Sequence, residues 1–159
     1  MLMVRVSPPL IVSTATAIYA LGTALLALRP STGLVRSAEY ALAGLQIAAA
    51  VLFLSIAIPE VRAGVVPPIG PTVILAIPIF LLMCDVHFYF KIKQLQQLRV
   101  RRHLSRMIWT FIVAIRAPIV ELNGTLQIPV PIILFVPLIL TPLIIWVVLR
   151  RYPITELEP

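Results

Sequence analysis

Four stretches of this sequence, Pro9–Leu28, Ala38–Ile58, Pro71–Phe90 and Ile128–Leu149, are long and apolar and carry at most one charged residue each. About 20 such residues wound as an α-helix cross the hydrocarbon core of a bilayer. Only a helix satisfies its own backbone there within a single segment. Composition agrees: 60% of the 159 residues are hydrophobic, 12% are charged, and the mean hydropathy is +1.05. A soluble domain is about 45–50% apolar and about 25% charged. Too few charges remain to coat a water-soluble globule, so the chain reads as an integral membrane protein.

A fifth segment, Met107–Leu122, is shorter and carries Arg116, Pro118 and Glu121. It spans if its helix begins in the basic stretch near Arg102; a re-entrant segment is the alternative. Breakers separate the segments: Arg29-Pro30-Ser31-Thr32-Gly33, Pro59-Glu60 through Pro71, and Asn123-Gly124. Proline fixes φ and lacks a donor, while Gly and Asn tolerate left-handed backbone. No linker, repeat or low-complexity tract divides the chain. The expectation is an all-α bundle of about five spans with proline kinks, one integral membrane domain over residues 1–159.

Basic residues orient it. Arg29, Arg36, Lys91, Lys93, Arg99, Arg101, Arg102, Arg106, Arg150 and Arg151 fall on one side, and only Arg5 and Arg62 on the other. Lys and Arg are retained on the cytoplasmic side, which predicts an N-terminus outside and a C-terminus inside, in a cell (inner) membrane. Arg5 before the first apolar run also fits a signal peptide. Cleavage would leave Arg29 and Arg36 on the wrong side, so a spanning helix is preferred.

Helices in lipid associate through small residues and polar pairs. Thr16, Ala20, Ala24 and Ala27 in the first span, and Ala41, Gly44, Ala48 and Ser55 in the second, form the stripes expected to pack. The 15 prolines are unusually many, and Pro78, Pro118, Pro137 and Pro142 fall inside spans. Each frees a carbonyl four residues earlier, which needs another partner in lipid.

Charges inside a span cost about 2.5–3.5 kcal/mol on insertion scales. Asp85, Arg116 and Glu121 therefore need partners, with His87 and Gln46 beside them. Asp85 lies near the cytoplasmic end of the third span, and the preferred reading is an inter-helix clamp to His103, Arg106 or another basic residue of the following turn. A proton-relay carboxylate is the functional alternative. Arg116 projects toward the N-terminal, cytoplasmic end of its helix and so into the membrane. It does not share a face with Glu121, and a carboxylate or carbonyl on another helix is its expected partner. Glu39 stands at a helix start, where a carboxylate suits the dipole.

His87 and His103 raise a bis-imidazole haem, and Cys84-x-x-His87 raises a ligand pair, but no metal or other cofactor is expected. Cys84 is the single cysteine, so no intrachain disulfide forms. Lys91, Lys93, Arg99, Arg101 and Arg102, interleaved with aliphatic residues, are expected to contact anionic lipid headgroups. Nucleic-acid binding is not expected, because neither aromatic interleaving nor a folded basic domain accompanies them. Asn123-Gly124-Thr125 matches a glycosylation acceptor, read as chance.

The C-terminal half also resembles a known family. Asp85, then Arg102-His103-Leu104-Ser105-Arg106-Met107-Ile108 and Phe111-Ile112, resembles uncharacterised bacterial multi-span integral membrane proteins with an Arg-His-x-x-Arg-Met-x-x-x-(Phe/Tyr)-Ile signature. The likeness continues through Asn123, Ile128-Pro129 and Pro137–Ile145. The first two spans match only in hydropathy, and Trp109, Arg116 and Glu121 stand where small or apolar residues are expected. The resemblance implies fold and membrane location, and carries no catalytic residue.

Absent nucleophile–base groupings, phosphate loops and metal constellations, the functional expectation is a non-enzymatic bundle, a homo-oligomer or a subunit of a larger membrane assembly. The alternatives are a haem- or quinone-binding redox protein near His87 and His103, and a small oligomeric transporter or channel using Asp85 and Arg116.

Overall fold

The computed structural model describes residues 8–30, 32–90 and 95–151. Their regular structure is entirely helical: α1 (Pro8–Ala27), α2 (Gly33–Arg62), α3 (Ile69–Phe90), α4 (Leu95–Glu121), the short α5 (Asn123–Leu126) and α6 (Val130–Arg150). Four of these, α1, α2, α3 and α6, are long and apolar enough to cross a membrane. The architecture is that of an integral membrane protein.

Local chemistry explains the ends. Pro8 and Pro9 open α1, where a missing N–H costs nothing. Within α1, Thr16 and Thr23 return their hydroxyls to the Val12 and Tyr19 carbonyls at 2.7 and 2.8 Å, so neither exposes a polar group. Thr32 caps α2 by accepting from the Val35 N–H at 3.3 Å. The expected break at Pro59 does not occur, and α2 runs on through it to Arg62. Pro59 sits in the last turn, where only one ladder bond is lost. The stop comes at Gly64, whose φ of 71° lets Val65 N–H reach the Glu60 carbonyl and Gly64 N–H that of Val61. This is a Schellman ending.

The helix of the fifth segment, α4, starts at Leu95, before Arg102, and is continuous to Glu121; it is not among the four helices apolar enough to cross a membrane. The N-terminal half is basic and amphipathic and the C-terminal half apolar. Its most extensive packing is against α1, which in turn lies against α2; α3 and α6 touch each other at few points.

Tyr19, Ala20, Ile77, Leu81, Trp109 and Val113 form the central core, and Val12, Phe53, Ala57 and Leu75 a second cluster. The small stripe of α1 is buried as expected: Thr16, Ala20, Ala24 and Ala27 are all at most 4% exposed. That of α2 is not. Ala41, Gly44, Ala48 and Ser55 point out of the bundle, and α2 instead buries Val35, Glu39, Gln46, Ala49, Phe53 and Ala57. Glu39 on that face is worth more inside than a stripe of small apolar residues, because it finds charged and polar partners there that lipid cannot supply. The close helix approach is made by Gly22 of α1, where a Cβ would lie 2.6 Å from Leu42 Cδ1.

Candidate functional site: a buried ionic network

The C-terminal ends of α1 and α3 meet the N-terminal halves of α2 and α4 at one end of the bundle. Asp85, 6% exposed on α3, is the hub. Its Oδ1 accepts from Arg106 Nη2 at 2.6 Å and from Arg102 Nε at 3.1 Å, with Arg102 Nη2 at 3.0 Å. Its Oδ2 accepts from the Tyr19 hydroxyl of α1. Arg106 Nη2 also donates to the Leu81 carbonyl at 2.7 Å.

Arg102 extends the network to a second buried carboxylate. Its Nη1 donates to Glu39 Oε1 at 2.5 Å, and Tyr89 O–H donates to Glu39 Oε2 at 2.5 Å. The Arg102 guanidinium also lies 4.5 Å from the Phe88 ring centroid and 5.8 Å from that of Tyr89, and Arg106 lies 5.5 Å from the Tyr19 ring. Two carboxylates and two guanidiniums thus balance, and every carboxylate oxygen has a donor. Desolvating charges costs several kcal/mol each unless hydrogen bonds and opposite charge offset it, as they do here.

Comparison with known proteins adds no relative. No family model matches the chain, and no curated protein or solved structure is significantly similar to it. The site is therefore interpreted from its own geometry.

Of the residues singled out in the sequence, Asp85 and Arg106 pair directly. His103 does not reach Asp85; its Nδ1 lies 2.9 Å from the Ala24 carbonyl near the end of α1. One helical position separates the outcomes: Arg102 and Arg106, four apart, share the face toward α3, whereas His103 turns toward α1. Arg102, expected at the headgroups, is instead buried between Glu39 and Asp85. Arg99 and Arg101 are half-buried on the same basic turns. Lys91, Lys93 and the side chain of Glu121 lie outside the described residues.

His87 is exposed on α3 and lines a cleft of about 410 Å³ between α3, α4 and α6. His103 does not line it. Arg116 is half-buried toward the other end of the bundle and lines a narrow crevice with Ser13, Thr16, Ile74 and Pro78. It thus stands beside the residue whose carbonyl Pro78 frees. Among the described residues, no three His, Cys, Asp or Glu converge as a metal site.

Tyr19, Tyr89 and the role of Glu39 escaped the sequence reading. The one usable signal was local: Glu39 is the only charge in the second apolar segment, and a lone intramembrane charge calls for a partner as Asp85 does. Gln46, fully buried in α2, has neither amide atom hydrogen-bonded among the described residues.

Proposed function

We propose that this protein is a non-enzymatic membrane module, a scaffold or subunit of a larger assembly in the cell (inner) membrane, whose intramembrane charges join helices instead of moving protons or substrate. The N-terminus is placed outside and the C-terminus in the cytoplasm, a reading supported by the gathering of basic residues at the network end. One observation carries the reading: all four oxygens of Asp85 and Glu39 are engaged by Tyr19, Tyr89, Arg102 and Arg106. A general base or relay carboxylate works from an oxygen that faces its proton donor or substrate. Here each oxygen faces a protein donor instead, and those donors come from three different helices.

The separation of His103 from the cleft that His87 lines favours this reading over a bis-imidazole haem. The bacterial membrane-protein likeness of the Arg102–Ile112 segment supports location alone. Reconstitution in liposomes tests the proposal. Proton flux should stay at the level of protein-free vesicles, the purified protein should show no Soret band, and Asp85→Asn should lower the melting temperature. Flux that disappears in Asp85→Asn would replace the reading with a transporter, and a Soret band with a redox protein.

A further inference from the structure

The cleft between α3, α4 and α6 has an unusual lining. Asp85, Arg101, Arg102, Ser105, Arg106 and Trp109 form its polar walls, and Phe80, Leu98 and Leu149 are among its apolar ones. Four buried nitrogens of these lining side chains have no hydrogen-bond partner among the described residues: Arg101 Nε, Arg102 Nη2, Arg106 Nη1 and Trp109 Nε1. Of these, Arg102 Nη2 lies 3.0 Å from Asp85 Oδ1 as an ion pair, which leaves the other three. Arg106 is 3% exposed and Trp109 1%. Buried donors without acceptors are rare and each costs about as much as a lost hydrogen bond. All three are donors. What they lack is an acceptor, and the described residues supply none.

The charge count gives its sign. Asp85 and Glu39 neutralise Arg102 and Arg106, which leaves Arg101 as surplus positive charge on the cleft wall. The opening gives its source. Cys84 and His87 of α3 are exposed along the cleft with Phe80, 48% exposed, one turn below. These three lie on one outward face over about 10 Å of helix rise, and α3 and α6 touch each other at few points. The cleft therefore opens sideways, toward the bilayer.

We propose that this cleft is a specific site for the headgroup of one anionic phospholipid of the cytoplasmic leaflet. Its phosphodiester oxygens are held by Arg101 and Arg106 and an ester carbonyl by Trp109, while the acyl chains run out past Phe80. A phospholipid matches because it brings an anion and a neutral carbonyl on one body, already at the depth where Arg and Trp meet in a membrane helix. As the side chains stand, the Arg101, Arg106 and Trp109 nitrogens are all closed even to water, so binding requires these side chains to turn toward the cleft that they line. The inference does not depend on the module being a scaffold. It differs from diffuse adsorption to the basic turns because it requires an indole inside the bundle.

Cys84, exposed and the single cysteine, reports on the site directly. The rate at which a thiol reagent labels it would be measured on full-length protein in neutral detergent, with phosphatidylglycerol, phosphatidylcholine or inorganic phosphate added. Phosphatidylglycerol should slow labelling where equal phosphatidylcholine and millimolar phosphate do not. Arg101→Gln and Trp109→Phe should each weaken that protection about tenfold, the factor one charge-assisted or buried hydrogen bond is worth. Should Trp109→Phe fail to fold, Arg101→Gln decides alone, since Arg101 carries no structural contact in the network. Equal protection by both lipids would overturn the site as a mere lipid coat. Protection by phosphate alone would make it a soluble-anion site and overturn the lipid assignment, and unchanged protection in the variants would overturn the assigned residues.

Discussion

Glu39 and Arg102 are 63 positions apart and pair at 2.5 Å in the interior of the bundle. Arg102 is the link between two carboxylates on different helices, and it does so with separate nitrogens of one planar group. Arg102→Lys keeps the charge but offers a single ammonium, which cannot present the same fork to Glu39 and Asp85. It should lower stability in detergent by about 1–3 kcal/mol, the cost of leaving one buried acceptor short. Thermal unfolding checks this; wild-type stability in Arg102→Lys would mean the bridge is not what holds α2 to α4.

Asp85 and Arg106 should be coupled. Removing either strands the other, at about 3–5 kcal/mol for a fully buried pair. In a double-mutant cycle, Arg106→Ala should add little once Asp85→Ala is present, because the charge it answers is gone. Fully additive losses would show that the two residues act independently.

Tyr19→Phe removes only the hydroxyl that Asp85 Oδ2 accepts from. The ring stays in the central core with Leu81 and Trp109, so packing is preserved. The expected loss is about 1.5–3 kcal/mol, the range for a hydrogen bond to a charged group, read from the same melting curves. Much of that loss should vanish in an Asp85→Asn background.

Gly22 sets the α1–α2 distance. A Cβ there would meet Leu42 Cδ1 at 2.6 Å, and a branched side chain would reach further. Gly22→Val should cost about 1–3 kcal/mol through overpacking. Leu42→Ala should recover part of it by clearing the contact, whereas Leu34→Ala, 81% exposed at the start of α2, should recover nothing.

Orientation is checked by thiol labelling in intact cells, on a Cys84→Ser background. Val65, 73% exposed in the α2–α3 turn, should label from outside as Val65→Cys. Arg29→Cys, exposed after α1, should label only once the membrane is permeabilised. The reverse pattern would invert the topology.

Sequence alone determined the membrane class, the four apolar helices and the need of Asp85 for a basic partner, because hydropathy and a lone intramembrane charge are local properties of the chain. The start of α4 at Leu95 was less legible, since its first turns are polar and look like a loop until α2 and α3 take up Arg102 and Arg106. The rotation of each helix was decided only by tertiary structure. In water an apolar stripe turns inward by itself; in lipid the outside is as apolar as the inside, so that contrast is lost. Which face of α2 is buried then depends on partners far along the chain: Arg102 and Tyr89 for Glu39, and Gly22 for Leu42. The Ala41–Ser55 stripe lost to them because small residues gain only close contact, while an unpaired Glu39 facing lipid would cost several kcal/mol.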